Sequence, residues 1–590
     1  MAEPRGASAR IAARGFEARD HARRPAGPPG RWLGFFPALT LAVFLAPIAT
    51  GLLGTLLPSF GILPALGGTR LSIDAWRSLI AAPGTATALR LTISTGIAAT
   101  ILSLLLTLAF CASFQGTRLF LHTQRLLAPL LAIPHAAFAI GIAFLLAPSG
   151  WIARLLSPWL TGWARPPDLA LVQDPWGVAM TFALVAKEVP FLLLMTLAAL
   201  SLTPAERVLR LARTMGYGRI SAWLKFILPL IYPQIRLPLL AVLAYSLSTV
   251  EVALILGPTT PPPLAPLVLR WFSDADLALR FQAAAGAVLQ LMVVAGAIAA
   301  WWLAECALAP LGVRWIEAGR RGGSGLLWRA ATGLATGVLM FAALATIAAL
   351  GMWAFADRWR FPDALPASWT LRTVERASSS LGDPLLTTLI AALAATLIAL
   401  VLVLGCLEHG AARRIQVTRR ALAVIYLPLL VPQIGFLFGV QILLLLTGLD
   451  GTWPALVAAH LLFVLPYVFL SLSEPYRALD PRYAQTAACL GRSRLFVFAA
   501  IKLPMLLRPI LAAAAVGFAV SVGQYLPTIF AGAGRLTTLT TEAIALASGA
   551  DQRVAAVYAF IQATLPMCGF MLALLVPRFL YRHRRGMHVA

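Results

Sequence analysis

Charged residues are scarce in this chain of 590 residues: they make up 12% of it, whereas 60% of the residues are hydrophobic. The mean hydropathy is +0.83. In soluble globular domains roughly a quarter of all residues are charged, so these values exclude that class and place the chain in a bilayer. Lys and Arg exceed Asp and Glu by 24. The basic residues lie between apolar runs, where they indicate membrane orientation and not nucleic-acid binding.

Lysine is also rare, and its positions exclude one kind of nucleotide site. The three lysines are Lys187, Lys225 and Lys502, and none of them follows a glycine. A P-loop needs a Gly-Lys pair, because its lysine must reach the β- and γ-phosphates directly after the last glycine. We therefore expect no ATP site of this kind and no other cofactor on the chain.

Cysteine is the third scarce residue type. The chain has five cysteines, which lie far apart, form no C-x-x-C pair and have no histidine at metal-ligand spacing. We expect neither disulfides nor a metal site. The cysteines are Cys111, Cys306, Cys406, Cys489 and Cys568.

Long apolar runs are what the sequence has in abundance, and twelve of them are long enough to span a bilayer. The fold class is therefore all-α and polytopic, with about twelve transmembrane helices. Arg and Lys are concentrated in alternate connecting segments, which predicts that both termini are cytoplasmic. The runs lie near residues 32–56, 89–111, 126–147, 176–200, 237–257, 283–307, 330–354, 386–406, 421–447, 454–473, 510–531 and 554–577.

Matching segments in the two parts of the chain indicate an internal duplication into two parallel six-helix repeats. Pro134 and Pro432 lie at equivalent positions, where we expect one proline-kinked helix each. Leu-Pro pairs ending at Pro229 and Pro504 form a second match. The predicted division is a basic cytoplasmic N-terminal tail at 1–31, a first repeat at 32–310, a cytoplasmic linker at 311–327, a second repeat at 328–580 and a basic cytoplasmic C-terminal tail at 581–590.

A cytoplasmic loop of about 35 residues between the fourth and fifth spans of each repeat has the pattern of a folded unit. Each begins with a proline and continues at helical spacing to Gly216 or Gly491. A second short segment then runs to the Leu-Pro pair. The pattern predicts a knob made of a helix, a glycine turn and a second helix that ends at the proline.

These loops resemble the E-A-A-x3-G-x9-I-x-L-P signature of permease subunits in binding-protein-dependent ABC importers. The spacing is complete in both copies, although the glutamate of the signature is replaced by Arg210 and Gln485, which leaves its ion pair unsettled. The resemblance implies that the loops couple the chain to ATPase subunits. The coupling residues it implies are Arg210, Ala212, Gly216, Leu228 and Pro229 in the first loop, and Gln485, Ala487, Gly491, Ile501, Leu503 and Pro504 in the second.

Fused double permeases of this kind resemble the iron(III), thiamine and polyamine importers, and residues 524–543 are most similar to the thiamine type. The resemblance implies a bacterial inner-membrane protein that imports a small solute by alternating access. Its implied partners are two cytosolic ATPase subunits, which use ATP and Mg, and a periplasmic or tethered binding protein, besides the lipid bilayer. The residues do not reveal which solute is carried.

Polar and proline residues inside the spans are candidates for the translocation pathway, because a charged group in the bilayer needs a partner or a cavity. Lys187 and Glu188 point about 100° apart on a helix, so we expect each to pair with a neighbouring helix. The pathway candidates are Glu251, Gln524, Tyr525, Pro134 and Pro432.

Two other functions remain open from the residues. A 6+6 ion-coupled secondary transporter would share the two parallel repeats, but it leaves the long loops unexplained. A membrane-embedded enzyme would need a cluster of reactive side chains on facing spans, whereas the sequence has scattered single residues.

Overall fold

The computed structural model describes residues 31–582 apart from residues 324, 414, 416, 417 and 550. The predicted N-terminal tail therefore lies outside the described residues except for residue 31, and the predicted C-terminal tail except for residues 581 and 582. The described residues are helical apart from loops and one short hairpin.

The first part of the chain, up to the linker, contains thirteen α-helices and the hairpin. In chain order they are the 3-10 turn Arg31–Gly34, α1 Phe35–Ser59, β1 Ile62–Leu63, the 3-10 turn Pro64–Leu66, β2 Gly68–Thr69, α2 Asp74–Ala81, α3 Thr85–Phe114, α4 Arg118–Ala132, α5 His135–Leu146, α6 Trp151–Leu156, α7 Val178–Ser201, α8 Ala205–Thr214, α9 Arg219–Ala222, the π-helical turn Trp223–Ile227, α10 Leu228–Ser248, α11 Glu251–Leu256, α12 Leu264–Phe272 and α13 Leu279–Glu317. Strands β1 and β2 pair antiparallel.

The second part repeats much of this order. It consists of α14 Leu326–Phe355, α15 Arg372–Arg413, α16 Arg419–Leu430, α17 Gln433–Thr447, α18 Trp453–Ala478, α19 Pro481–Cys489, α20 Arg494–Phe496, the π-helical turn Val497–Lys502, α21 Leu503–Met505, α22 Leu507–Val522, α23 Leu526–Gly532, α24 Leu539–Ala547 and α25 Gln552–Leu580. Helix α13 continues to Glu317 and α14 begins at Leu326, so part of the predicted linker is helical.

Within the described residues, ten helices are long and apolar enough to cross a membrane. Two further pairs of helices qualify if each bent pair counts as one span, with bends of 97° after Leu430 and 75° after Met505. Since an isolated helix satisfies its own backbone hydrogen bonds, it is the form in which an apolar segment can cross lipid. The prediction of an all-α polytopic membrane protein with about twelve spans is confirmed.

The third span of each half is not one kinked helix, so that part of the prediction is wrong. Helix α4 ends at Ala132, Ile133 is extended, and Pro134 precedes α5. In the second half the chain breaks in the same way before Pro432. A proline has no N–H to donate and disfavours helical geometry in the residue before it, so both helices end there.

The predicted fifth spans are also interrupted. Helix α10 ends at Ser248 and α22 at Val522, and each is followed by a short helix, α11 or α23, after a two- or three-residue break. Each of the predicted spans 237–257 and 510–531 therefore covers parts of two helices and not a single helix. Apolar residues continue across both breaks, which is why hydropathy alone does not detect them.

The first span of each half packs on the third span of the other half. Helix α1 lies against α17, and α14 lies against α5. Glycines allow the close approach: a Cβ on Gly54 would lie 2.8 Å from the Cα of Gly439, and a Cβ on Gly141 would lie 2.6 Å from the Cβ of Thr346. In the first crossing, the Gly439 N–H also donates to the Thr55 hydroxyl at 3.2 Å. The first helix of each half therefore packs against the other half, and we call these two helices the exchanged helices.

The short helix before the last span is anchored in the same way in both halves. The Leu264 N–H at the start of α12 donates to the buried Thr92 hydroxyl of α3 at 2.8 Å. The Leu539 N–H at the start of α24 donates to the buried Thr388 hydroxyl of α15 at 2.9 Å. The side chain of a second-span threonine thus satisfies a free N–H at a helix start, where the helix itself offers no acceptor.

Candidate functional site

The two loops between the fourth and fifth spans fold into knobs whose turns have the same geometry. We call residues 205–228 the first knob and residues 481–503 the second knob. Gly216 and Gly491 follow the first helix of each, with φ of +82° and +75°. Their N–H groups donate to Arg213 O at 2.9 Å and Ala488 O at 3.0 Å. Glycine is favoured at both positions because residues with a Cβ are strained at such φ values.

The signature alanines lie on the buried face of each knob helix. Ala212 and Ala487 are 4% and 6% exposed, and their carbonyls accept the Tyr217 and Arg492 N–H groups at 3.1 Å each. These bonds complete a Schellman cap in both knobs. Arg210 and Gln485, which replace the glutamate of the signature, are exposed. The two substitutions therefore lie on the outer surface of the knobs.

The Leu-Pro pairs do not close the knobs, contrary to the prediction. The first knob runs without a break into α10, and the second runs through Pro504 to a bend at Leu506. A π-helical turn precedes each proline: the Leu228 N–H donates to Trp223 O and the Leu503 N–H to Phe498 O. The wider turn admits a residue with no N–H directly afterwards, so the helix continues past the proline.

The first knob is held by the segment that joins the two halves. The Gly218 N–H donates to Arg321 O at 2.8 Å, and a Cβ on Gly216 would lie 3.4 Å from Arg321 Cδ. Lys225, which is 2% exposed, lies over the rings of Tyr217 and Trp315 at 5.5 and 4.9 Å. The joining segment is therefore a packed part of this knob.

The second knob is held by an ion pair. Lys502 Nζ donates to both oxygens of Glu408 at 2.8 and 2.6 Å, and the Tyr476 hydroxyl donates to the same carboxylate. The Tyr581 hydroxyl donates to Pro504 O at 2.8 Å. The C-terminal end of the described chain thus lies at the knob end of the bundle. Gly34 lies there as well, since a Cβ on it would be 3.8 Å from the ring of His409.

Each knob presents a large apolar residue at its glycine turn. Met215 is 59% exposed and Leu490 is 75% exposed, and they occupy equivalent positions directly before the turn glycines. Leu211 on the first knob is 61% exposed. Two exposed apolar tips on repeated, rigid turns have the character of a docking surface.

A second group of polar residues lies inside the bundle, around the break at Pro134. Because proline has no N–H, the carbonyl of Leu130 lacks its helical donor. Lys187 Nζ, on α7, fills this place: it donates to Leu130 O at 3.0 Å, to Leu131 O at 3.4 Å and to Ile133 O. Lys187 is 5% exposed. As expected, it pairs with a neighbouring helix, although with carbonyls and not with a carboxylate.

Beside the break lies a set of side chains from four helices of the first half. Glu188 Oε1 lies 3.7 Å from His135 Nε2, and the His135 ring lies 4.7 Å from the ring of Tyr245. The Tyr245 hydroxyl donates to Glu251 Oε1 at 2.9 Å. These four residues form a continuous polar path, which we call the polar cluster.

The second half contributes a tyrosine to the same region. Tyr525 lines a cavity of about 230 Å³ together with Ala253 and Leu254, which follow Glu251 on α11. The polar cluster therefore lies beside the interface between the halves.

The pathway candidates divide into two groups. Glu251, Tyr525 and Pro134 come together, because the break at Pro134 supports the polar cluster. The Gln524 amide, in the break after α22, instead donates to Val520 O of that helix at 3.2 Å. Pro432 marks the matching break in the second half and is buried against other residues.

Sequence reasoning missed the roles of His135 and Tyr245 in the polar cluster and that of Arg321 at the first knob. The signals were present for the first two: His135 directly follows Pro134, and Tyr245 lies six residues before Glu251. His460, by contrast, is held in the core by hydrogen bonds with the hydroxyls of Ser521 at 2.7 Å and Thr528 at 3.0 Å. Among the described residues, no group of three His, Cys, Asp or Glu side chains is arranged to hold a metal ion.

Comparison with known proteins gives the family. No protein-family model matches the chain. It is similar to the inner membrane ABC transporter permease protein YnjC of Escherichia coli (strain K12), with 33% identity over 554 residues, which cover 93% of this chain and 97% of that protein. The chain therefore belongs to the permease subunits of ABC transporters, which are multi-pass inner-membrane proteins without an ATPase site of their own.

Proposed function

We propose that this permease subunit imports a small solute, which a periplasmic or tethered binding protein delivers, into the cytoplasm by alternating access. One chain supplies both transmembrane halves, at residues 32–310 and 328–580, and the two knobs dock on two separate ATPase subunits that use ATP and Mg. The observation that carries the proposal is the repeated knob: the same capped turn occurs twice, each with an apolar residue at its tip.

An ATPase can move the spans through the knobs only if each knob is joined firmly to a span. A knob that moved independently of the spans would not convey a movement of an ATPase to the pathway. Here each knob continues through a π-helical turn into the helix that follows, and the first runs directly into α10. Helix α10 carries Tyr245 of the polar cluster, so a displacement of the first knob along this helix would reach the pathway.

The polar cluster is the proposed translocation pathway, with Glu251 and Tyr525 facing each other across the two halves and Pro134 breaking the helix beside them. Gln524 and Pro432 complete the proposed lining on the second half. Charged groups in a membrane interior are expensive unless they serve a pathway or have partners. The first half supplies both carboxylates, Glu188 and Glu251, and the second half adds the Tyr525 hydroxyl, so a bound solute would meet different chemistry on its two sides.

The orientation follows from the same proposal. Both ends of the described chain lie beside the knobs, at Gly34 and Tyr581. Since the ATPase subunits are cytosolic, the knob end and both termini are cytoplasmic.

The test is co-purification of an ATPase with the tagged chain from membranes of its native host. In the variant Met215→Asp/Leu490→Asp both exposed tips become charged, while the packing of the knobs is unaffected. The control is Leu365→Asp, which alters a leucine that is 60% exposed in the loop before α15, at the other end of the bundle. We expect a P-loop ATPase with the wild type and the control, and its loss from the double variant.

An ion-coupled secondary transporter predicts a different result. If the wild-type chain carries no ATPase, and its transport in vesicles depends on an ion gradient, the knobs are connectors only and the proposal is wrong. If the double variant keeps the ATPase, the exposed residues Met215 and Leu490 are not part of the contact.

A further inference from the structure

An apolar cavity of about 510 Å³ lies at the knob end of the bundle, between α3, the first knob and the start of α14. It opens to the side: Leu105 on α3 is 57% exposed and Trp328 on α14 is 56% exposed. The exposed residues of α3 include Ile101, Leu102 and Leu105, which form an apolar face suited to lipid. The residues that line the cavity include Leu105, Leu108, Ala109, Leu224, Leu228 and Trp328.

Two arginines adjoin the residues that line this cavity. Arg219 directly precedes the lining residues of the first knob, and Arg329 directly follows Trp328. Both guanidinium groups reach the C-terminal end of α3. Among the residues that the structure describes, no carboxylate lies within 4 Å of either guanidinium group. Two positive charges thus lie at one helix end without a negative partner, although like charges repel each other most where water is partly excluded.

Part of this arrangement serves the fold. Arg219 donates a hydrogen bond to the carbonyl of Gln115 at the C-terminal end of α3, and the Arg329 guanidinium lies 5.8 Å from the ring of Phe114. A cation is favourable at a helix C-terminus. Nevertheless, this role accounts for one hydrogen bond of Arg219, whereas Nε of Arg329 is buried and has no hydrogen-bond partner.

The cavity and the arginines together match one class of ligand. An apolar cavity that opens toward lipid accepts an acyl chain, and a basic rim at the level of an exposed tryptophan lies where lipid headgroups are found. A free phosphate would gain nothing from the apolar walls, and a zwitterionic lipid would leave the positive charge uncompensated. We propose that this cavity binds an anionic phospholipid, with an acyl chain against Leu105 and Leu108 and the phosphate between Arg219 and Arg329.

A lipid bound in this way contacts three segments: α3, the first knob, and the joining segment with the start of α14. The cavity wall includes Ser221 of the first knob and Gly323 and Gly325 of the joining segment, which also packs on that knob. The lipid therefore fastens the first knob to α3 and α14. The second knob is held by its Glu408–Lys502 ion pair instead, so the two knobs differ in their dependence on membrane composition.

The experiment is native mass spectrometry of the delipidated, full-length chain in detergent. It is titrated in separate arms with phosphatidylglycerol, with phosphatidylethanolamine and with glycerol phosphate. We expect one phosphatidylglycerol to bind in preference to the other two probes. An arginine near a membrane surface contributes about 1 kcal/mol to attraction of anionic lipid, so Arg219→Gln and Arg329→Gln should each weaken phosphatidylglycerol binding about fivefold.

Two further variants separate lipid binding from a purely structural role. Ala109→Phe fills the cavity without changing any charge and should abolish the preference for phosphatidylglycerol. Arg482→Gln removes an exposed arginine from the second knob and should leave it unchanged. Equal binding of phosphatidylethanolamine, or full binding by Ala109→Phe, would overturn the proposal. Displacement of the lipid by glycerol phosphate alone would show a phosphate site instead. If an arginine variant fails to fold, Ala109→Phe decides the matter.

Discussion

Two buried lysines with opposite surroundings allow a sharp test of how the broken third span is stabilised. Lys187 donates to three backbone carbonyls around Pro134. Lys225 is also buried, but its Nζ has no hydrogen-bond partner among the described residues and lies over two aromatic rings. Both can be replaced by methionine, which is similar in length and carries no charge.

We expect Lys187→Met to reduce the free energy of unfolding by about 3–5 kcal/mol. A hydrogen bond to a charged group contributes about 1.5–3 kcal/mol, and the variant loses three of them, one of which is long. The variant also leaves the Leu130 carbonyl without a donor, because Pro134 cannot supply one. Removal of one partner from a buried charged contact is destabilising by about this amount.

Lys225→Met should change the same quantity by no more than about 1 kcal/mol. It loses a cation–π contact of about 0.5–2 kcal/mol, but it also removes the unfavourable burial of an ammonium group. The measurement is unfolding of the two purified variants by denaturant titration in mixed micelles, with wild type alongside. If Lys225→Met proves as unstable as Lys187→Met, burial of lysine and not carbonyl capping determines the effect, and the reasoning fails.

Three other predictions concern the knobs and the helix crossing. Gly491→Ala should lower the stability of the second knob by about 1–2 kcal/mol through backbone strain alone, because an added Cβ would meet no described atom within 4 Å. Gly491→Asn should lower it less, because asparagine tolerates a positive φ better. Hydrogen exchange of the knob measures both effects. Glu408→Met should destabilise the chain by about 3 kcal/mol, because it leaves Lys502 as a buried charge without its partner. The double variant Glu408→Met/Lys502→Met should be destabilised by clearly less, as measured by thermal unfolding. Equal losses would mean that Lys502 does not need Glu408. Gly54→Leu should prevent the close crossing and lower the melting temperature of the solubilised chain, while Gly337→Leu, where a Cβ meets nothing within 4 Å, should not.

Hydropathy was sufficient to predict the helical membrane fold, because length and apolar character are properties of single segments. It did not detect the breaks at Pro134 and after Ser248, since apolar residues continue through both. The sequence did mark Pro134 as a disturbance within an apolar helix, and it marked Lys187 as a group that needs a partner. The two observations could not be joined, because 57 residues separate Lys187 from Leu130 and only the packing of α7 against α4 brings them together.

The knobs were the most predictable part of the candidate site. Their helix, their glycine turn and their buried alanines all follow from spacing within one short segment. The contact of Arg321 with the first knob could not be found in this way, because the residue lies in a glycine-rich stretch without periodicity and more than a hundred residues after Gly216. Local pattern predicts local structure, whereas contacts between distant segments depend on how the whole bundle packs.

The exchanged first helices have a consequence for how the protein is made. Thr55 on α1 and Gly439 on α17 are 384 residues apart in sequence. At a synthesis rate of 5–20 residues per second, α1 is completed on the order of 20 to 80 s before its partner leaves the ribosome. During this time the glycine face of α1 has no native contact, and the membrane insertion machinery or lipid must cover it. Joining both halves in one chain ensures that the missing helix arrives at the same place and in equal number, so neither half has to search the membrane for the other.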